Sequence, residues 1–139
     1  MEEQVNRDQI GLELYTVRSL AMTDMIGTLK KVAEIGYPTV EFAGYGGVPA
    51  AELRAALDDL GLKAVASHVP LDHFANRFDE VIVELQTLGI KDAIVPWIAP
   101  DKRAEFFADN QALAKTFNDW GARCRDAGLR FGYHNHDFE

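Results

Sequence analysis

The fold is decided by a junction that the chain first makes at Glu34-Ile-Gly-Tyr-Pro-Thr-Val-Glu-Phe42, where a helical pattern stops at a glycine and a short apolar run follows. The same junction recurs at Asp59–Ser67, Thr87–Val95 and Asp126–Tyr133. Glycine takes the left-handed conformation that ends many helices without the steric cost that other residues have. Each junction therefore predicts the end of a helix and the start of a strand.

On the helical side of each junction, apolar residues recur every three or four positions, as in helices that bury one face. The stripe of the third predicted helix consists of Phe74, Phe78, Val81, Leu85 and Leu88. Strands are predicted at about residues 10–15, 39–44, 63–68, 92–97 and 130–136. Strands that are joined through helices run parallel, so the chain is predicted to be an α/β protein with the order β-α-β-α-β-α-β-α-β.

Two architectures share this order. A flavodoxin-like sheet has strand order 2-1-3-4-5, and it normally ends with a helix and has a phosphate-binding or acidic loop after strand one. Here the loop after strand one reads Tyr15-Thr-Val-Arg-Ser-Leu20, and the sequence stops just after strand five. A (β/α)8 TIM barrel needs about 250 residues. We therefore favour a parallel TIM-barrel half in one domain over residues 1–139, truncated after strand five, with 1–9 as a polar lead-in and strand order 1-2-3-4-5.

Composition limits the functional classes. Hydrophobic residues make up 47% of the chain, enough for a core, and the formal net charge of −8 argues against nucleic acid as a partner. The single cysteine, Cys124, fits a reducing compartment. The sequence has no signal region and no apolar run near the roughly 20 residues of a membrane helix. These features predict a cytoplasmic protein with no membrane partner.

Candidate site residues lie where the predicted strands end, because parallel α/β folds place their active sites there. They are Tyr15, Glu41, His68, Trp97 and the run His134-Asn135-His136. In a strand, His134 and His136 would project to the same side. Histidines and carboxylates that meet at one end of a barrel are suited to acid–base chemistry or to binding a divalent metal. Structural roles stay open: a satisfied histidine at His68, a salt bridge at Glu41, core packing at Trp97. The fourth histidine, His73, is predicted to lie on the surface.

Several motifs in the chain resemble those of the sugar phosphate isomerase/epimerase family, in the xylose isomerase-like TIM-barrel superfamily. The motifs are Ile10-Gly-Leu-Glu-Leu-Tyr-Thr-Val-Arg18, Gly36-Tyr-Pro-Thr-Val-Glu-Phe-Ala-Gly-Tyr45, Ala66-Ser-His-Val69, Val95-Pro-Trp97 and Gly132-Tyr-His-Asn-His-Asp-Phe-Glu139. The resemblance covers nearly all of the chain after the first nine residues, and the last motif is the most specific.

The resemblance implies a divalent metal (manganese, cobalt, magnesium or zinc) whose ligands come largely from strands five to eight, of which only strand five is present here. We predict catalytic roles for Glu41, His68 and His134. We predict substrate contacts for Tyr15, Trp97 and Asn135, and metal ligation for His136 and Glu139. Many relatives have a glutamate ligand where this chain has Tyr133 or His134, so the strand-five ligand stays open.

The leading functional hypothesis is a sugar or sugar phosphate isomerase or epimerase that transfers a proton next to a carbonyl, with a small-molecule sugar or cyclitol as substrate. A keto-sugar or cyclitol dehydratase or lyase is the first alternative, and an inactive fragment or binding scaffold is the second. An AP endonuclease-like DNA repair enzyme is disfavoured by the charge of −8. The isolated chain is expected to lack the full activity, to bind metal weakly and to form homo-oligomers through exposed sheet edges.

Overall fold

Five strands form one parallel sheet in the computed structural model, which describes Asn6 and residues 9–138. The strands are β1 (Gly11–Glu13), β2 (Thr39–Phe42), β3 (Lys63–His68), β4 (Asp92–Val95) and β5 (Arg130–Tyr133). Each strand pairs in parallel with the next one along the chain, in the order β1-β2-β3-β4-β5. This order confirms the half-TIM-barrel α/β fold and excludes the flavodoxin-like order. The predicted lead-in at 1–9 lies mostly outside the described residues.

Helices connect every pair of consecutive strands. They are α1 (Arg18–Thr23), α2 (Met25–Ile35), α3 (Ala50–Leu60), α4 (Leu71–Asn76), α5 (Phe78–Leu88), α6 (Pro100–Ala108) and α7 (Asn110–Asp126), and a 3-10 turn (Leu14–Val17) precedes α1. Three of the four connections thus hold two helices instead of the single helix predicted. In two of these connections an aspartate caps the second helix. Asp24, before α2, accepts a hydrogen bond from the backbone N–H of Gly27, and Asp109, before α7, accepts from those of Gln111 and Ala112.

The junction glycines have the backbone conformation that the sequence predicts. Gly36 follows α2 with a φ of 101°, and Gly128 lies between α7 and β5 with a φ of 77°. Both values lie in the left-handed region of backbone conformation, which residues with a Cβ atom rarely adopt. The junction glycines therefore set where the helix before each of the strands β2 to β5 stops and at which residue that strand can start.

The hydrophobic core lies between the sheet and its helices. In β2, Val40 and Phe42 are fully buried among helix side chains, whereas Thr39 and Glu41 alternate with them on the opposite side. We call that opposite side the inner face of the sheet. None of the helices among the described residues is both long and apolar enough to span a membrane.

A cluster of aromatic rings attaches β5 to the helices. The ring of Phe74 on α4 contacts those of Phe78, Trp120 and Phe131, with centroid distances of 5.8, 5.5 and 5.2 Å. Phe131 belongs to β5, so the cluster fixes this outer strand and the segment that follows it.

Candidate functional site

Two glutamates and a histidine meet on the inner face, near the carboxyl ends of the first three strands. Glu13 in β1 pairs directly with Glu41 in β2. The Nε2 atom of His68, at the end of β3, lies 3.2 Å from Oε1 of Glu41 and 3.5 Å from Oε1 of Glu13. The three side chains therefore form one charged cluster across three strands.

A bulge in β3 brings His68 to this face. Val40 pairs with Ala64, but the next residue, Glu41, pairs with Ala66, so Val65 is an extra residue in β3. In a regular ladder Glu41 would pair with Val65, and His68 would share the helix-covered side with Phe42. Because side chains alternate along a strand, the one-residue shift moves His68 onto the same face as Glu41.

The Nε2 atom of His68 is buried and has no hydrogen-bond partner among the described residues. Its contacts with the two carboxylates are close in distance but lack hydrogen-bond geometry, and the side chain is only 10% exposed. A buried polar atom without a partner costs about 1–3 kcal/mol. Such an atom is therefore well suited to bind a ligand from the open side of the sheet.

His134 completes a group of possible metal ligands. It follows β5, and its backbone N–H donates to the carbonyl oxygen of Val95 at 3.0 Å. Its ring meets that of His68 edge to face, with centroids 5.5 Å apart. One ligand atom each from Glu13, His68 and His134 lie within 4.8 Å of one another. Imidazole nitrogens with a carboxylate oxygen suit zinc, cobalt or manganese, so the donor set and the unpartnered Nε2 fit the implied metal.

Burial alters the acidity of Glu41. Its pKa lies above the ordinary value of 4.5, chiefly because burial disfavours the charged form, with a smaller raising effect from Glu13. The nearby His68 and His134 act in the opposite direction without cancelling the rise. A carboxylate with a raised pKa is a stronger base once it is ionised.

A cavity of about 410 Å³ opens above this cluster. It is lined by Glu13, Tyr15, Ala43, Gly44, His68, Pro70, Pro96, Trp97, His134 and His136. Cavities of roughly 300–1,000 Å³ are typical of small-molecule sites. The aromatic rings of Tyr15 and Trp97 are 54% and 46% exposed, so this cavity presents apolar walls above a polar floor.

The structure gathers most of the residues predicted for the site. Tyr15, His68, Trp97, His134 and His136 line the cavity, and Glu41 touches His68 from below. His134 and His136 were predicted to project to the same side of a strand, but both residues lie beyond the end of β5. Their rings nevertheless lie together, stacked with centroids 5.0 Å apart.

Other predicted residues lie elsewhere. Asn135 is exposed, does not line the cavity, and donates a hydrogen bond from Nδ2 to the carbonyl oxygen of His136 at 3.4 Å. Glu139 lies outside the described residues. His73 is half-buried on α4, away from the cavity lining. The roles assigned to Asn135 and Glu139 stay predictions.

Sequence reasoning missed Glu13. It stands between Leu12 and Leu14, the same apolar–glutamate–apolar pattern that singled out Glu41. The predicted strand ran on to about residue 15, but β1 ends at Glu13 and a 3-10 turn follows. Glu13, and not Tyr15, is therefore the last residue of the strand.

Three solved structures resemble this fold over nearly the whole chain, whereas no family model and no curated protein sequence matches it. A sugar phosphate isomerase/epimerase from Parabacteroides distasonis ATCC 8503 has a TM-score of 0.71 and 26% identity, and the match covers 94% of this chain and 55% of that one. A second such protein from the same organism has a TM-score of 0.64 and 22% identity, covering 97% and 54%. A xylose isomerase domain containing protein from Salmonella typhimurium LT2 has a TM-score of 0.68 and 8% identity, covering 94% and 50%.

The chain spans about half the length of the solved structures it matches. The two structures below 25% identity support the fold alone, and the first adds a sequence likeness that agrees with the motifs. The resemblance drawn from the sequence is thus confirmed, and the chain is similar, over 94% of its length, to a sugar phosphate isomerase/epimerase and to a xylose isomerase domain containing protein.

Proposed function

We propose that this chain takes part in isomerising or epimerising a sugar, by moving a proton on the carbon next to a carbonyl group. The observation that carries the proposal is the unpartnered Nε2 atom of His68, 3.2 Å from Glu41, beneath a cavity of about 410 Å³. The likeness to proteins named as sugar phosphate isomerases/epimerases supports the same reaction class.

Glu41 is the proposed base. Its raised pKa makes the ionised carboxylate a better proton acceptor than an ordinary glutamate. It lies 3.2 Å from His68, whose side chain lines the cavity. It takes the proton from the carbon and, in an isomerisation, returns it to the former carbonyl carbon, while the proton of the neighbouring hydroxyl passes to the former carbonyl oxygen. The same first step begins an epimerisation, which then needs proton delivery to the opposite face.

A divalent metal would be held by Glu13, His68 and His134, and when bound it would stabilise negative charge on the carbonyl oxygen. Metal ligation was predicted for His136, whose ring stacks on that of His134, and for Glu139, which lies outside the described residues. The exposed rings of Tyr15 and Trp97 would cover the apolar face of the sugar.

Hydrogen–deuterium exchange tests this step directly. The chain is incubated in D2O with Zn²⁺ and a set of ketoses, and proton NMR follows the signal of the hydrogen on the carbon next to the carbonyl. Exchange is the suitable readout because it needs only the base and its neighbours, whereas the chain spans about half the length of its matches.

We expect exchange with at least one ketose and a loss of about 100-fold or more in Glu41→Gln, the range of a lost general base. Glu34→Gln, an exposed glutamate at the end of α2, is the matched control and should exchange at the unaltered rate. Exchange that survives in Glu41→Gln would refute the role of Glu41. A product that has lost water would assign the reaction to a dehydratase instead.

A further inference from the structure

Most arginines in the described part of the chain are neutralised by carboxylates. Four of the seven form ion pairs: Arg54 with Asp58, Arg77 with Glu80, Arg123 with Asp79 and Arg130 with Asp92. The other three are Arg18, Arg103 and Arg125. None of these three forms an ion pair with another described residue, so their positions and other contacts decide which of them can meet an anion.

Arg103, on α6, is held in place by three contacts. Its guanidinium carbon lies 3.3 Å from the centroid of the Phe138 ring and 5.7 Å from that of Trp97. Its Nε–H donates to the carbonyl oxygen of Ile98 at 2.9 Å, and the residue is half-buried. The two terminal nitrogens make no hydrogen bond or ion pair within the described residues, so the planar edge of the group is oriented and free to bind a ligand.

This guanidinium is continuous with the wall of the cavity. Trp97 lines the cavity directly. On the other side, the ring of Phe138 stacks on His136 with centroids 5.0 Å apart, and His136 stacks in turn on His134 at 5.0 Å. One row of planar groups therefore leads from the candidate metal ligand to the arginine at the rim.

Arg18 and Arg125 do not share these properties. Arg18 lies over Tyr15 on another part of the rim, but it is exposed and one of its terminal nitrogens already donates to the Tyr15 carbonyl oxygen at 2.9 Å. Arg125 is exposed in the last turn of α7, at the opposite end of the sheet from the cavity. Of these three arginines, Arg103 is thus the one that is both oriented and available beside the cavity wall.

We propose that Arg103 binds an anionic substituent, a phosphate or a carboxylate, on the sugar whose carbonyl end reaches Glu41 and His68. This inference rests on the proposed function. A guanidinium fork matches two oxygens of either anion. The carboxylate of Glu13, which lines the cavity, and that of Glu41, which lies behind His68, repel the same anion. The carbonyl end of the sugar therefore enters the cavity, and the anionic end stays at the rim beside Arg103.

Binding of matched sugars tests the role of Arg103. Calorimetric titrations compare D-fructose 6-phosphate, D-fructose and D-glucuronate against the unaltered chain, Arg103→Gln, Arg103→Lys and the control Arg125→Gln. We expect the unaltered chain to prefer one of the two anionic sugars over fructose by about tenfold to a hundredfold, as for a hydrogen-bonded charge. Which anion is preferred identifies its chemical source.

Arg103→Gln should abolish this preference without changing the affinity for fructose, Arg103→Lys should keep only part of it, and Arg125→Gln should keep all of it. Equal binding of the three sugars by the unaltered chain, absence of binding by both anions, or a preference that survives in Arg103→Gln would overturn the inference. Failure of the proposed function would give a different result: the unaltered chain would exchange deuterium into none of the ketoses, while the preference for an anionic sugar would still depend on Arg103.

Discussion

Replacing Phe74 with leucine tests whether the aromatic cluster holds β5 and the segment with His134 in place. Phe74 is 1% exposed, and its ring contacts three others on α5, α7 and β5. Leucine keeps most of the apolar volume but none of the ring–ring geometry. The substitution therefore isolates what the specific packing contributes to stability.

The expected loss follows from these contacts. Each ring pair contributes about 0.5–1.5 kcal/mol beyond the burial of its area, and a swap of similar apolar volume costs under about 1.5 kcal/mol by itself. Three lost pairs give a fall of about 2–4 kcal/mol in the free energy of unfolding, a large share of the roughly 5–15 kcal/mol of a whole domain. With a urea dependence of about 2 kcal/mol per M, the midpoint should drop by about 1–2 M.

Urea titrations followed by far-ultraviolet circular dichroism measure this shift. Phe107→Leu is the matched control, because Phe107 is half-buried on α6 and has no ring contact within the described residues. It should lower the free energy of unfolding by under about 1.5 kcal/mol. Equal losses in the two variants, or a loss below about 1 kcal/mol in Phe74→Leu, would refute specific packing of this cluster.

In the metal-free chain, the free energy of unfolding should fall as the pH rises above 4.5, because folded Glu41, whose pKa is raised, still holds a proton that the unfolded chain has lost. In urea titrations this fall should be smaller in Glu41→Gln and unchanged in Glu34→Gln. Calorimetry with Zn²⁺ should show weak binding, weakened about tenfold or more in His68→Gln but not in His73→Gln. The thiol of Cys124, whose pKa burial raises to about 11, should react with Ellman's reagent at about pH 8 only after unfolding. Light scattering at micromolar concentration should show self-association, since β1 and β5 each have one edge unpaired within the described sheet.

Each of these expectations has a contrary result. If the free energy of unfolding changed with pH in the same way in the unaltered chain and in Glu41→Gln, the burial of the Glu41 carboxyl group would be contradicted. Unchanged zinc affinity in His68→Gln would remove His68 from the metal site. Rapid labelling of the folded thiol would mean that Cys124 is accessible, and a strictly monomeric species would contradict association through the sheet edges.

The order of the elements could be predicted because it rests on local chemistry. A glycine adopts the positive φ that ends many helices more readily than other residues, and the four junctions follow from that local preference. The strand predicted at about residues 63–68 is observed as β3 (Lys63–His68). The helix breaks at Asp24 and Asp109 were overlooked, although aspartate is a strong capping residue whose signal the sequence contains.

The sequence by itself determined the alternation of helices and strands, their parallel direction, and the end of the sheet at which Glu41, His68, Trp97 and His134 gather. Tertiary structure alone decided which of these side chains touch. The contact between Glu41 and His68 depends on the extra residue Val65 in β3, since without that bulge His68 would lie on the helix-covered face. Strand register is set by pairing between segments distant in the chain, and a shift of one residue exchanges the two faces, so local patterns do not determine it.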